Sequence, residues 1–171
     1  MLVRPVTADD LHVLVQVKVD AIRPVYEPIG SEELCEDYDL AHQEAWLGHM
    51  LATMGRNDAV LVAVDDFDRV AGWIRLSCGS GVDAGTGEIG GLFVSPPHQG
   101  QGVGRTLVLE GCRVFIQRGC RRARVQTLAT SPACGFYERL GARYAGDVPF
   151  RAQLYESVYV WDDISALAAS S

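Results

Sequence analysis

The run Leu92-Phe93-Val94-Ser95-Pro96-Pro97-His98-Gln99-Gly100-Gln101-Gly102-Val103-Gly104-Arg105-Thr106-Leu107 leaves few folds open. Three apolar residues running into a Pro-Pro pair describe a strand that stops, because proline cannot donate to a ladder. Glycines then open a helical pattern in which Leu107, Val108, Gly111, Val114 and Phe115 share one face. The predicted unit is a strand, a tight loop and a helix N-terminus. The first N–H groups of a helix have no intrahelical partner and carry the positive end of its dipole, so an anion suits them. Gly100, Gly102 and Gly104 lack a Cβ and let a phosphate approach main-chain donors. The run reads as a pyrophosphate cradle.

Spacing separates the known phosphate loops. A Walker A loop ends in Gly-Lys-Ser/Thr, whereas the corresponding pair here is Arg105-Thr106; a dinucleotide fingerprint starting at Gly100 requires glycine where Arg105 stands. The pattern that fits is Gln99-x-x-Gly102-x-Gly104, with Leu92-x-Val94 upstream. Taken alone, it also fits a ligand-free connection between a core strand and a core helix.

A chain of 171 residues is long enough for one domain with a substantial core, expected over 1–165 with a frayed Ala/Ser-rich tail at 166–171. No uncharged apolar run could span a bilayer, and Met1-Leu2-Val3-Arg4-Pro5 lacks the basic start and apolar block of a leader, so the expected location is cytoplasmic, with no membrane partner. Five cysteines, with no Cys-x-x-Cys pair and no histidines at metal spacing, are expected to be reduced thiols, without a metal. The net charge of -7 argues against nucleic acid as a partner. It is unevenly spread. Residues 97–124 carry six arginines against Glu110, and residues 1–60 carry eleven acids against four bases. A basic region beside a phosphate loop suits an anionic cosubstrate, and an acidic remainder suits a cationic acceptor such as an amine. A monomer or homodimer is expected.

Along the chain, residues 2–6 read as a strand. Thr7 with an acid three positions on caps a helix that stops near Pro24, and 31–54 is helical in two pieces. Strands at 59–64 and 70–76 flank a polar turn, and 77–87 reads as a loop before a strand at 88–94. After the cradle helix, which ends at Gly119, come a strand at 124–128, a helix from Ser131-Pro132 to Gly141, and a strand pair at 142–147 and 153–161.

About thirty residues beyond the cradle stands Thr130-x-x-Ala133-x-x-Phe136-Tyr137-x-x-Leu140-Gly141. The two motifs together resemble the signatures of the GNAT superfamily of N-acetyltransferases, the first as Gln/Arg-x-x-Gly-x-Gly/Ala and the second as Asn-x-x-Ala-x-x-Phe-Tyr-x-x-x-Gly-Phe. Thr130 replaces the asparagine and Ala142 the final aromatic. The resemblance implies an α+β (α/β three-layer) fold. Its sheet would be mixed and mostly antiparallel, with six to seven strands flanked by helices, in the order strand, helix, helix, three strands, helix, strand, helix, two strands.

It also implies an acetyl-CoA-dependent N-acetyltransferase, in which a primary amine of a small molecule or peptide attacks the thioester directly through a tetrahedral intermediate. The alternative is a non-catalytic acyl-CoA-binding sensor. The coenzyme would lie along Leu92, Phe93 and Val94, with its diphosphate on the loop of Gln99, Gly100, Gln101, Gly102, Val103, Gly104, Arg105 and Thr106. Its arm would pass Thr130, Ala133, Phe136 and Tyr137. By resemblance, Tyr137 donates a proton to the departing sulfur and a main-chain N–H at Leu92 or Phe93 polarises the carbonyl. Glu88, four residues before Leu92 and so on the same strand face by a period of two, is the candidate general base, with Glu156 and Asp37 in reserve. Candidate acceptor walls are Tyr26, Glu27, Glu33, Asp37 and Tyr38 from the early helices, Trp73 from the hairpin, and Tyr155 and Glu156 from the last strand pair. His98, next to Gln99, could touch a phosphate; otherwise it reads as a loop histidine directed to solvent.

Overall fold

Strict alternation organises the sheet. Val60, Val62 and Val64 face one side of a strand, Leu61 and Ala63 the other, and all five are buried, so the strand is covered on both faces. The computed structural model describes residues 1–79 and 84–170. Seven strands, β1 (Leu2–Pro5), β2 (Asp58–Val64), β3 (Val70–Cys78), β4 (Thr86–Val94), β5 (Arg122–Leu128), β6 (Arg143–Pro149) and β7 (Tyr155–Trp161), form one sheet in the order β1-β2-β3-β4-β5-β7-β6. Every neighbouring pair is antiparallel except β4 and β5. This is the mixed, mostly antiparallel, helix-flanked sheet that the resemblance implies. The expected loop at 77–87 is shorter, because Cys78 already pairs with Gly87; its residues 80–83 lie outside the described residues.

Helices cover both faces. α1 (Leu11–Tyr26) and α2 (Leu40–Thr53) pack on one through Leu14, Val17, Leu47 and Trp73. α3 (Val103–Gln117), α4 (Ala133–Arg139) and α5 (Ser165–Ala169) lie on the other, around Ile74, Leu107, Phe115 and Trp161. Phe115 is fully buried, and a Cβ on Gly87 would sit 2.5 Å from its ring, so that glycine gives the strand room to lie against the helix. Among the described residues no helix is long and apolar enough to cross a membrane.

One expectation is corrected. α1 does not stop near Pro24 but runs to Tyr26 with the proline in its last turn, and the chain then tightens through a 3-10 turn at Glu27–Ile29 and leaves at Gly30, with φ +70°. Only one helical hydrogen bond is lost, close to the end. Where the tail is expected to stand apart, α5 packs on α3, and the Arg113 guanidinium donates to the carbonyls of Ala168 and Ser170 and also pairs with Glu110. Side chains at helix C-termini satisfy carbonyls in this way.

Asp10, 6% exposed, fixes the start of α1. Both its oxygens accept from Arg4, at 2.7 and 2.8 Å, and Oδ2 also takes the Thr7 N–H at 2.7 Å. The guanidinium is the main reason its pKa is depressed to about 2, against the opposing effect of burial. A depressed carboxyl stabilises the fold fully above its unfolded pKa and loses that contribution as pH falls through the folded one. Asp10→Asn is expected to cost about 1–3 kcal/mol at neutral pH and to lessen the loss of stability between roughly pH 4 and pH 2, as read by urea unfolding across pH.

Candidate active site

β4 and β5 pair only from Thr86 opposite Arg122 to Ile89 opposite Val125. Beyond that, β4 follows β3 to Val94 and β5 follows β7 to Leu128, so a wedge opens between them. The Ser95 N–H bonds to the Ala71 carbonyl at 2.9 Å. Strand alternation therefore turns the Phe93 peptide groups towards β3 and those of Leu92 and Val94 into the wedge. Here lies a cleft of about 1160 Å³, reaching from the loop before α3 and the first turn of α4, through the wedge, to α1 and α2 on the far face.

The loop before α3 is held from within. The Gln99 side-chain amide donates to the Val94 carbonyl (3.0 Å) and that of Gln101 to the Pro97 carbonyl (2.7 Å). His98 is braced rather than directed to solvent: Nδ1 meets Ser95 Oγ at 2.7 Å and Nε2 faces Asp65 Oδ2 at 3.4 Å, which ties the loop to the β2–β3 turn. Gly100 and Gly102 take left-handed φ of +73° and +85°, and a Cβ on either would meet nothing within 4 Å, so the space above them is open. A Cβ on Gly104 would lie 3.3 Å from Phe136, so this glycine lets α3 approach α4. Val103, Gly104 and Arg105 begin the helix with N–H groups that have no intrahelical acceptor. Open space, spare donors and the exposed Arg105 fit a diphosphate.

In the wedge, Tyr137 is 4% exposed, its ring set against Phe136, Tyr159 and Trp161 at centroid distances of 5.1, 6.2 and 6.0 Å. Its hydroxyl has no hydrogen-bond partner among the described residues, and it lines the cleft. Burial pushes its pKa up, which keeps it a proton donor.

The acetyltransferase (GNAT) family model matches residues 20–142, which include both motifs and the wedge between them. This chain belongs to the GNAT acetyltransferase family. It is similar to the mycothiol acetyltransferase of Kocuria rhizophila, 35% identical over 101 residues that cover 57% of this chain and 33% of that protein. The chain thus spans about a third of that relative's length. Its fold is that of the ribosomal-protein-alanine N-acetyltransferase of Brucella melitensis (TM-score 0.71, 22% identity, 94% of this chain and 99% of that one). It is also that of the PaiA N-acetyltransferase of Thermoplasma acidophilum in complex with coenzyme A (TM-score 0.70, 19% identity, 94% and 98%).

In this GNAT fold most coenzyme residues expected from the sequence come together. Leu92, Phe93, Val94, Gln99, Gly100, Gly102, Val103, Gly104, Arg105, Ala133, Phe136 and Tyr137 all line the cleft. Gln101 and Thr106 support the loop without lining it, the Thr106 N–H closing the first α3 turn on the Gly102 carbonyl. Thr130 is exposed in the turn before α4; the neighbour that lines the cleft is Ser131, whose Oγ accepts from the Ala133 N–H.

The face assigned to Glu88 is overturned. Arg75 pairs with Gly91 and Leu76 with Ile89, so Gly90 is an extra residue in β4. That bulge puts Ile89 on the side of Leu92 and Val94, against α3, and leaves Glu88 on the opposite face. There Oε2 accepts from Arg124 Nε and Nη2 at 2.9 and 2.6 Å, in a small pocket separate from the cleft.

Of the candidate acceptor-wall residues, Tyr26, Asp37 and Glu156 line the cleft; Glu27, Glu33, Tyr38 and Tyr155 do not. Trp73 is fully buried, its indole N–H donating to the Leu14 carbonyl, so it supports the floor and offers no surface to an acceptor. The early carboxylates are engaged within the fold: Glu33 accepts the Ala152 N–H at 2.6 Å, Asp37 pairs with Arg151, and the 150–153 turn is thereby held over the far end. Sequence reading missed Lys18, Trp46, Arg75 and Arg151 in the lining. Lys18 left a trace, since it interrupts the buried run Leu14, Val15, Val17, Val19 of α1.

A side chain on Gly102 would meet left-handed strain, and a glutamate would add negative charge to a loop suited to an anion. Gly102→Glu is expected to abolish coenzyme A binding in calorimetric titration with the fold retained; unchanged affinity would displace the diphosphate from this loop.

Proposed function

We propose that this chain transfers an acetyl group from acetyl-CoA to a primary amine of a small molecule or peptide, by direct attack of the amine on the thioester. The observation that carries this reading is the wedge itself. It has an anion-suited loop at its mouth, the Leu92 peptide groups and the Val94 N–H open along one wall while Gln99 takes the Val94 carbonyl, and the unpartnered Tyr137 hydroxyl inside. An extended amide-bearing arm can pair with those peptide groups as an added strand does. The Leu92 N–H, aimed into the wedge, polarises the thioester carbonyl, and Phe93, whose peptide is taken up by β3, leaves that role to it. Tyr137 holds the proton for the departing thiolate.

The amine reaches the wedge protonated and must lose a proton. Glu156, on β7 opposite Leu128, lines the cleft, and burial raises its pKa while Arg151 opposes the rise. A carboxylate of raised pKa is the stronger base near neutrality, so Glu156 takes the part first assigned to Glu88. Bringing amine and thioester together on one scaffold supplies a large further share of the rate.

The test is thiol release from acetyl-CoA with amino acids, polyamines, aminoglycosides and peptide N-termini. Release is expected with at least one class; tight coenzyme binding without release from any would leave a sensor. Tyr137→Phe should lower kcat about 10²- to 10⁴-fold with coenzyme affinity nearly unchanged; full activity would remove it from the mechanism. Because its raised pKa makes Glu156 protonate early as pH falls, kcat/KM should drop on the acid side, and Glu156→Gln should abolish that limb of the profile.

A further inference from the structure

At the acceptor end of the cleft Asp37 and Arg151 pair with each other, whereas two cations, Arg75 and Lys18, have no carboxylate partner among the described residues. Arg75 projects from β3 opposite Gly91, and its side chain lies along the β4 bulge: a Cβ on Gly90 would be 3.5 Å from its Cδ and 3.6 Å from Nη1. Among the described residues its guanidinium makes no hydrogen bond and no ion pair, though it lines the cleft. Lys18, 9% exposed, lines the same cavity from α1. Its ammonium donates to the neutral Gln43 side-chain oxygen and sits 4.2 Å from the centroid of the Trp46 ring, with no carboxylate among the described residues in ion-pair range. The ammonium is also 5.7 Å from the centroid of the Phe93 ring, which lies over Gly91, the residue opposite Arg75, so the two cations flank one ring at the cleft; burial lowers the Lys18 pKa to about 8.

A buried ammonium and an unpaired guanidinium facing one cavity are costly unless something negative joins them. Nothing in the described fold does so. A planar carboxylate matches the guanidinium fork and can take a further proton from the ammonium. We propose that the acceptor carries a carboxylate held between Arg75 and Lys18, so that the substrate class is a small amino acid or a close carboxylate-bearing amine. This rests on the acetyl-transfer reading of the same cleft. It also accounts for Trp46, 39% exposed on α2, as the aromatic wall beside the ammonium.

The experiment compares amino acids with the amines left when their carboxylate is removed: leucine with isoamylamine, phenylalanine with phenethylamine, methionine with 3-(methylthio)propylamine. Thiol release gives kcat/KM, and calorimetry on the coenzyme A-loaded protein gives binding without turnover. Each amino acid should exceed its amine by about ten-fold or more. In Arg75→Leu and Lys18→Met that ratio should fall to near one through KM, with Arg75→Lys retaining part of it; coenzyme affinity and Tm serve as controls for folding. Amines that match or exceed their amino acids in the unsubstituted protein overturn the subsite, as do variants that lower both members of a pair alike or a lack of binding by any of the amino acids. Amino acids that bind ahead of their amines without thiol release support the subsite and overturn the transfer reading instead.

Discussion

The short parallel pairing of β4 with β5 is the constraint on which the site depends. Four residue pairs hold the two halves of the sheet together, and then each strand follows its other neighbour. A backbone that leaves its ladder inside a protein must find other partners for its polar groups. In this fold the Leu92 and Val94 peptides look into an open cleft, and one of them, the Val94 carbonyl, is met by the Gln99 side chain. The opened seam makes the sheet itself a binding surface, and the loop before α3 lies at its mouth because β4 ends there.

The bulge at Gly90 sits at the point of parting, where β4 changes face. Ile89 and Leu92 can then both pack against α3, while Arg75 and the Phe93 ring lie across positions that have no side chain: a Cβ on Gly91 would come within 2.7 Å of that ring. Two adjacent glycines thus serve packing and the cleft together. The same bulge removes Glu88 from the cleft and gives it to Arg124, a reassignment of roles made by one extra residue.

Charge is distributed with similar economy. The acidic excess of the first sixty residues suggests a surface for cations, yet Asp10 holds Arg4, Glu33 holds the 150–153 turn and Asp37 holds Arg151. Ala152 and Gln153 keep left-handed φ of +56° and +57° within that turn, a conformation non-glycine residues adopt only when their surroundings impose it. Glu33 and Asp37 are thus engaged within the fold, and Glu156 faces the cleft without an ion pair among the described residues.

The order of strands and helices, the cradle, its glycines and Tyr137 were legible in the sequence because each is a local pattern: alternation, helical spacing, a Pro-Pro stop, residues at fixed offsets along one loop. Glu88 failed for a non-local reason. A period of two holds only along an unbroken strand, and whether Gly90 or Gly91 is the extra residue depends on how β3 pairs, which lies elsewhere in the chain. Lys18, Trp46, Arg75 and Arg151 come from four separate elements, so only the folded sheet and its helices bring them to one cavity. The sequence by itself determined which elements form and where glycines bare main-chain donors at a helix start, since backbone donors and glycine conformations are properties of short stretches. Tertiary structure alone decided which side chains face the acceptor and which charges stay unpaired, since those follow from register, bulges and contacts between residues far apart in the chain.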